Sequence, residues 1–98
     1  MAKKQMISEE MDRKWSREDM IMKELIESIA KHLVDKPDEV NVADVETEQR
    51  IIYELTVGDG DYGKIIGKGG RNISAIRTIV FAINAKQGGK RARLDVID

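Results

Sequence analysis

Apolar residues in this 98-residue chain switch their spacing three times, and that succession limits the folds open to it. Ile21, Met22, Leu25, Ile26, Ile29, Ala30 and Leu33 fall on one face of a helix, with Lys23, Glu24, Glu27 and Lys31 opposite. Ile51, Tyr53, Leu55 and Val57 then alternate with Ile52, Glu54 and Thr56, the two-residue period of a strand with one buried face. Helical spacing returns at Ile73, Ile76, Ile79, Val80 and Ile83. It gives way to a last strand in which Ala92, Leu94 and Val96 point inward and Arg91 and Arg93 outward.

The residues between these segments set their ends. Ser16 with Asp19 reads as a capping-box variant opening a helix over 17–35, which Lys36-Pro37-Asp38 stops because Pro37 disfavours helical geometry in the residue before it. A short strand over 40–45 and a polar turn at 46–49 lead into the alternating strand as an antiparallel hairpin. Gly58-Asp59-Gly60 ends that strand, and Asp61 is placed to cap a short helical turn reaching Ile66. A long helix over 71–85 is terminated by Gly88-Gly89, and the final strand runs over 91–97. The second and third strands are separated by about 33 residues holding two helices, a length suited to a right-handed crossover between parallel strands. The expected fold is α+β, in the order α-β-β-α-α-β, with helices on one face of a three-stranded mixed sheet. Residues 1–19 carry ten charged side chains, with Ile7, Met11 and Trp15 spaced four apart, and read as a flexible extension ahead of a domain over 20–98.

Composition narrows the chemistry. A chain this short buries a modest core and leaves little room for a deep enzyme pocket. With no cysteine there is no disulfide framework, thiolate metal site or thiol nucleophile. No stretch approaches the roughly 20 apolar residues of a membrane span, and the charged N-terminus lacks a signal peptide's apolar run, so a cytoplasmic protein is expected. His32 is the single histidine and has no second ligand three or four residues on, so no metal is expected. Ser28, Ser74 and Thr78 have no base nearby in sequence, and neither a catalytic site nor a cofactor is expected.

The net charge of −1 conceals a strong asymmetry. Between Lys64 and Leu94 lie eight basic residues (Lys64, Lys68, Arg71, Arg77, Lys86, Lys90, Arg91 and Arg93) and no acid, whereas the rest of the chain holds nine basic and eighteen acidic residues. A polyanion could meet that segment unopposed. The competing reading is an ordinary solvated surface.

Two phosphate-binding patterns near the glycines fail on inspection. Gly58-Asp59-Gly60-Asp61-Tyr62-Gly63 satisfies G-x-G-x-x-G, but its two aspartates would face a pyrophosphate with like charge, and no ribose-binding acid follows. Gly58 to Lys64 spells most of a P-loop, yet Ile65 stands where a hydroxyl must ligate magnesium. The third pattern, Ile66-Gly67-Lys68-Gly69-Gly70-Arg71-Asn72-Ile73 between two helices, is coherent. Glycines at 67 and 70 remove the β-carbons that would hold a phosphate off the backbone, the next helix offers free N–H groups, and Lys68 and Arg71 add charge. A plain helix-turn-helix with Gly67 as C-cap is the competing reading.

The pattern I-G-x-x-G-x-x-I in a β-α-α-β setting resembles the KH domain, whose GXXG loop clamps the backbone of about four nucleotides. From about Met22 to Asp98 the chain is similar to the single-KH proteins of bacteria of the KhpA type. The similarity is carried by Lys23-Glu24-Leu25, Pro37-Asp38, the run Gly63–Arg71 and Ser74-Ala75-Ile76-Arg77-Thr78. The resemblance implies a type II KH fold and single-stranded RNA as ligand. It also implies a role as an RNA chaperone in post-transcriptional regulation, acting with a larger KH-containing protein of the Jag type in cell-envelope homeostasis and cell length. Carried over position by position, it puts the phosphate grip on Gly67, Lys68, Gly69 and Gly70, with Arg71 beside it. Ile66 and Ile73 become candidates for an apolar groove under the bases, with core packing as the alternative for Ile73, and Lys64 and Arg77 are expected to reach more distant phosphates. Gly69 departs from the family, which commonly has a side chain there, and the first 21 residues have no counterpart in it.

Aromatic residues make up 4% of the chain and Trp15 precedes the domain, so a base-stacking platform is not expected and binding should be weak and salt-dependent. Phe81 and Ala82 lie off the long helix's core-facing stripe, which predicts self-association through that helix. A protein-interaction module that relies on its partner for RNA contact is the alternative function. An intact basic loop, free of acidic neighbours, argues against it.

Overall fold

The computed structural model describes residues 17–98, with side chains from Met20 onward. Its elements are α1 (Arg17–Leu33), β1 (Asn41–Glu46), β2 (Arg50–Thr56), α2 (Tyr62–Ile66), α3 (Arg71–Gln87) and β3 (Arg91–Ile97). Single 3₁₀ turns at Pro37–Glu39 and Lys68–Gly70 precede β1 and α3. The expected cap at Ser16 and the extension as far as residue 16 lie outside the described residues. α1 itself begins within the span assigned to the extension.

α1 ends two residues before the predicted boundary. Val34 still donates to the Ala30 carbonyl at 3.2 Å, but Lys36, held ahead of Pro37, takes φ −117° and ψ 72°. Both strands of the hairpin are offset by one residue from expectation. The Val40 N–H is used in the 3₁₀ turn, on the Pro37 carbonyl, and the ladder closes at Glu46 opposite Ile51. Thr47 clamps the turn, its N–H and hydroxyl both donating to the Arg50 carbonyl (2.8 and 3.2 Å). β3 matches its prediction at both ends.

The sheet order is β1-β2-β3, antiparallel between the first pair and parallel between the second, as the long crossover requires. Val42 is paired with Leu55, and Tyr53 with Leu94, so the inward rows of the three strands align. Met22, Ile26 and Ala30 of α1, Ile65 of α2, and Ile73, Ile76 and Val80 of α3 close over that face. Each fully buried aliphatic side chain contributes about 1.5–3 kcal/mol. The other face is open, leaving Val45 and Ile97 exposed.

Candidate nucleic-acid interface

α2 and α3 are held apart by four residues whose backbone is shaped by glycine. Gly67 has φ 76° and ψ 170°, Gly69 φ 66° and ψ 19°, and Gly70 φ 77° and ψ 15°. A β-carbon at Gly67 would lie 2.6 Å from Asn72 Cγ and 2.9 Å from the Asn72 backbone nitrogen, so no side chain fits there. At Gly69 and Gly70 a β-carbon would meet open space, and the demand for glycine comes from the positive φ alone. Gly70 is the N-cap of α3, so the positive end of that helix's dipole lies at the loop, where the Gly70 N–H donates to the Gly67 carbonyl (3.0 Å) and the Arg71 N–H to the Lys68 carbonyl. The exposed Lys68 and Arg71 flank that end.

Asn72 is a positioning residue the sequence reading missed. Its amide donates to the Lys64 carbonyl at 2.9 Å and ties α3 back to α2 beneath the loop. The available signal was a short polar side chain immediately after the glycine cluster, close enough to answer an unsatisfied helix-end carbonyl.

The remaining predicted site residues divide. Ile66 is partly buried beside the loop, packed against the core rather than free of it. Ile73 is 7% exposed and packs in the core, on the face of α3 that it shares with Ile76 and Val80, as the alternative given for it expects. Lys64 is engaged internally, 2.9 Å from Asp35 and 3.6 Å from Asp61. The Asp35 carboxylate, first by hydrogen bond and then by charge, raises the Lys64 ammonium above the usual lysine range. Arg77 reaches β3, donating through Nε to the Leu94 carbonyl at 3.2 Å.

Asp61 does not cap α2 with its side chain as predicted. Its backbone carbonyl accepts from Lys64 and Ile65, while its carboxylate, 2% exposed, turns to the end of α1. There it accepts the N–H groups of Asp35 (3.3 Å) and Lys36 (2.9 Å). Burial pushes the Asp61 carboxyl up, but those two N–H groups and the Lys64 ammonium outweigh it and hold the group below the ordinary carboxylate range. The helix leading into the glycine loop is thereby clasped to α1. Among the described residues, no helix is long and apolar enough to cross a membrane.

Residues 23–96 match the model of the KhpA/KhpB KH domain. The chain belongs to that family. The KH domain is 53% identical over 76 residues to the RNA-binding protein KhpA of Clostridium acetobutylicum, an alignment covering 78% of this chain and all of that one. To its namesake in Chlamydia trachomatis it is 52% identical over 69 residues, covering 70% and 88% of the two chains. To that of Listeria monocytogenes it is 46% identical over 77 residues, covering 79% and 100%. Among solved structures, Aquifex aeolicus Era shares the KH fold with a TM-score of 0.57 at 18% identity, over 79% of this chain and 31% of Era.

Proposed function

We propose that this KH domain binds single-stranded RNA in the cytoplasm, gripping the phosphate backbone at Gly67-Lys68-Gly69-Gly70 with Arg71 alongside. The observation that carries the reading is the loop's geometry. Three positive-φ glycines deliver the chain into the start of α3, at the positive end of its dipole and with two exposed cations beside it, in a family whose named relatives are RNA-binding proteins. Lys64, already paired to two carboxylates, orients α2 and adds little charge to an incoming phosphate. Arg77 donates through Nε to the Leu94 carbonyl and has further N–H donors with which it would reach more distant phosphates.

Within the same reading the protein is an RNA chaperone that works with a larger KH-containing partner of the Jag type or with a second copy of itself. The 68% exposure of Phe81 supports a contact through α3. Titration of a labelled single-stranded RNA with wild type and with the Lys68→Asp/Gly69→Asp variant tests the grip. The variant, shown folded by circular dichroism, should lose most binding. Binding equal to wild type at equal salt would place RNA contact elsewhere.

A further inference from the structure

The sheet face turned away from the helices carries its charges in an order that neither the loop nor α3 uses. Because Tyr53 of β2 and Leu94 of β3 point into the core, their neighbours Ile52, Glu54, Arg93 and Asp95, with Arg50 and Arg91 two residues before, point the other way. The parallel register sets Arg50 beside Arg91 and, four residues on, Glu54 beside Asp95. Each is a pair of like charges on neighbouring strands, which opposes folding. Between the two pairs lies an apolar row, in which Ile52 stands opposite Val45 of β1, 44% exposed. Among the described residues, no ion pair involves Arg50, Arg91 or Glu54, and Asp95 is held by Arg93 at 2.9 Å.

We propose that this open face is an interface of its own, taken by the same face of a second copy of the chain. A two-fold axis lying between two stacked sheets, across their strands at Ile52, sets each strand antiparallel over its counterpart. Arg50 then meets Glu54 of the second copy, and Arg91 meets its Asp95. Stacked sheets lie about 10 Å apart, within the combined reach of these side chains, so both internal repulsions are relieved at once. Val45 and Ile52 pack against their own counterparts at the centre. Arg93 shares their row, but its charge is met by its own Asp95. An RNA strand fits this face poorly, because Glu54 and Asp95 stand in the middle of it and repel a polyanion. The contact is independent of the RNA-binding reading and of any contact through α3, which packs on the other side of the sheet. With strands about 4.8 Å apart and about 3.3 Å per residue, the patch measures roughly 15 by 20 Å, smaller than the roughly 800 Å² per partner of a stable complex. The association is therefore weak and set by charge.

The test is sedimentation of the full chain carrying Phe81→Glu, which removes any contact through α3, at concentrations up to about 1 mM and at low and high salt. This parent should form dimers that weaken as salt is raised. Arg50→Glu or Glu54→Arg, added to it singly, should weaken dimerisation by about tenfold or more, because each sets like charges against one another at two symmetric places. Each also removes a repulsion within its own sheet, so each should melt at least as high as the parent. Mixed in equal amounts, the two variants should dimerise as the parent does, since every altered charge then faces its opposite. A parent that stays monomeric at every concentration would overturn the interface. So would a single variant that dimerises as well as the parent, or a mixture no stronger than its components.

Discussion

The two ends of α3 are built from the same ingredients and present opposite helix ends and differently engaged lysines. Each is a glycine turn followed by cations: Gly67-Lys68-Gly69-Gly70-Arg71 before the helix, Gly88-Gly89-Lys90-Arg91 after it. Even the backbone matches, with Gly67 at φ 76°, ψ 170° and Gly88 at φ 76°, ψ −164°. At the first end, however, the helix presents N–H groups and Lys68 is exposed. At the second it presents carbonyls, and Lys90 is held by the Glu46 carboxylate (3.0 Å) and the Thr47 carbonyl (2.8 Å). Under the proposed reading, glycine and lysine together do not make a phosphate grip. Helix polarity and the freedom of the cation decide it.

The sharpest way to break this comparison is to put acid at both ends. Lys68→Asp/Gly69→Asp should lower RNA affinity by roughly 100-fold or more, since each lost charge-assisted hydrogen bond is worth about 1.5–3 kcal/mol. Gly89→Asp, also at a positive-φ position with open space around it, should change affinity by no more than about threefold, as expected for a screened surface charge. Comparable losses in a fluorescence titration would mean that helix polarity is irrelevant.

A smaller effect separates the two turns by sterics. Gly67→Ala and Gly88→Ala introduce the same backbone strain, about 1–3 kcal/mol each. Only at Gly67 does the new methyl strike Asn72, for a further cost of about 1–3 kcal/mol. Denaturant unfolding should therefore find Gly67→Ala the less stable of the two, and equal stabilities would remove Asn72 as the constraint.

Asp61 supports the first turn from beneath. Asp61→Asn should lower the Tm by roughly 5–10 °C at neutral pH, through weakened hydrogen bonds to a buried acceptor. Because the folded-state value of Asp61 is depressed, its stabilisation is present above the ordinary Asp value of about 3.9 and is lost as pH falls through the lowered value. Melting curves of wild type and variant should thus converge toward low pH, and a gap that is constant with pH would mean that the carboxylate charge is not what matters. The smallest effect is expected from deleting residues 1–16, which stops short of α1. Tm and RNA affinity should stay within about 2 °C and twofold of wild type, as expected of a terminal segment this charged and poor in apolar residues. A larger change in either would tie that segment to one end of α3.

What the sequence determined by itself was local. The period of its apolar residues set the order of helices and strands, because burying one face of a helix or strand depends on spacing within a few residues. The glycine loop was legible for the same reason: missing β-carbons, positive φ and the start of a helix all lie within Gly67–Arg71. Tertiary structure decided the functions of side chains whose partners lie far along the chain. Asp61 looked like a helix cap, but it meets Asp35 and Lys36, more than twenty residues away, because packing brings the end of α1 to the start of α2. Lys64 looked like a free cation until the same packing placed Asp35 beside it. Arg50 and Arg91 become neighbours only through the parallel register of β2 and β3. That register is set when the inward rows of the strands align in a shared core, an energy summed over the whole sheet rather than encoded at either arginine.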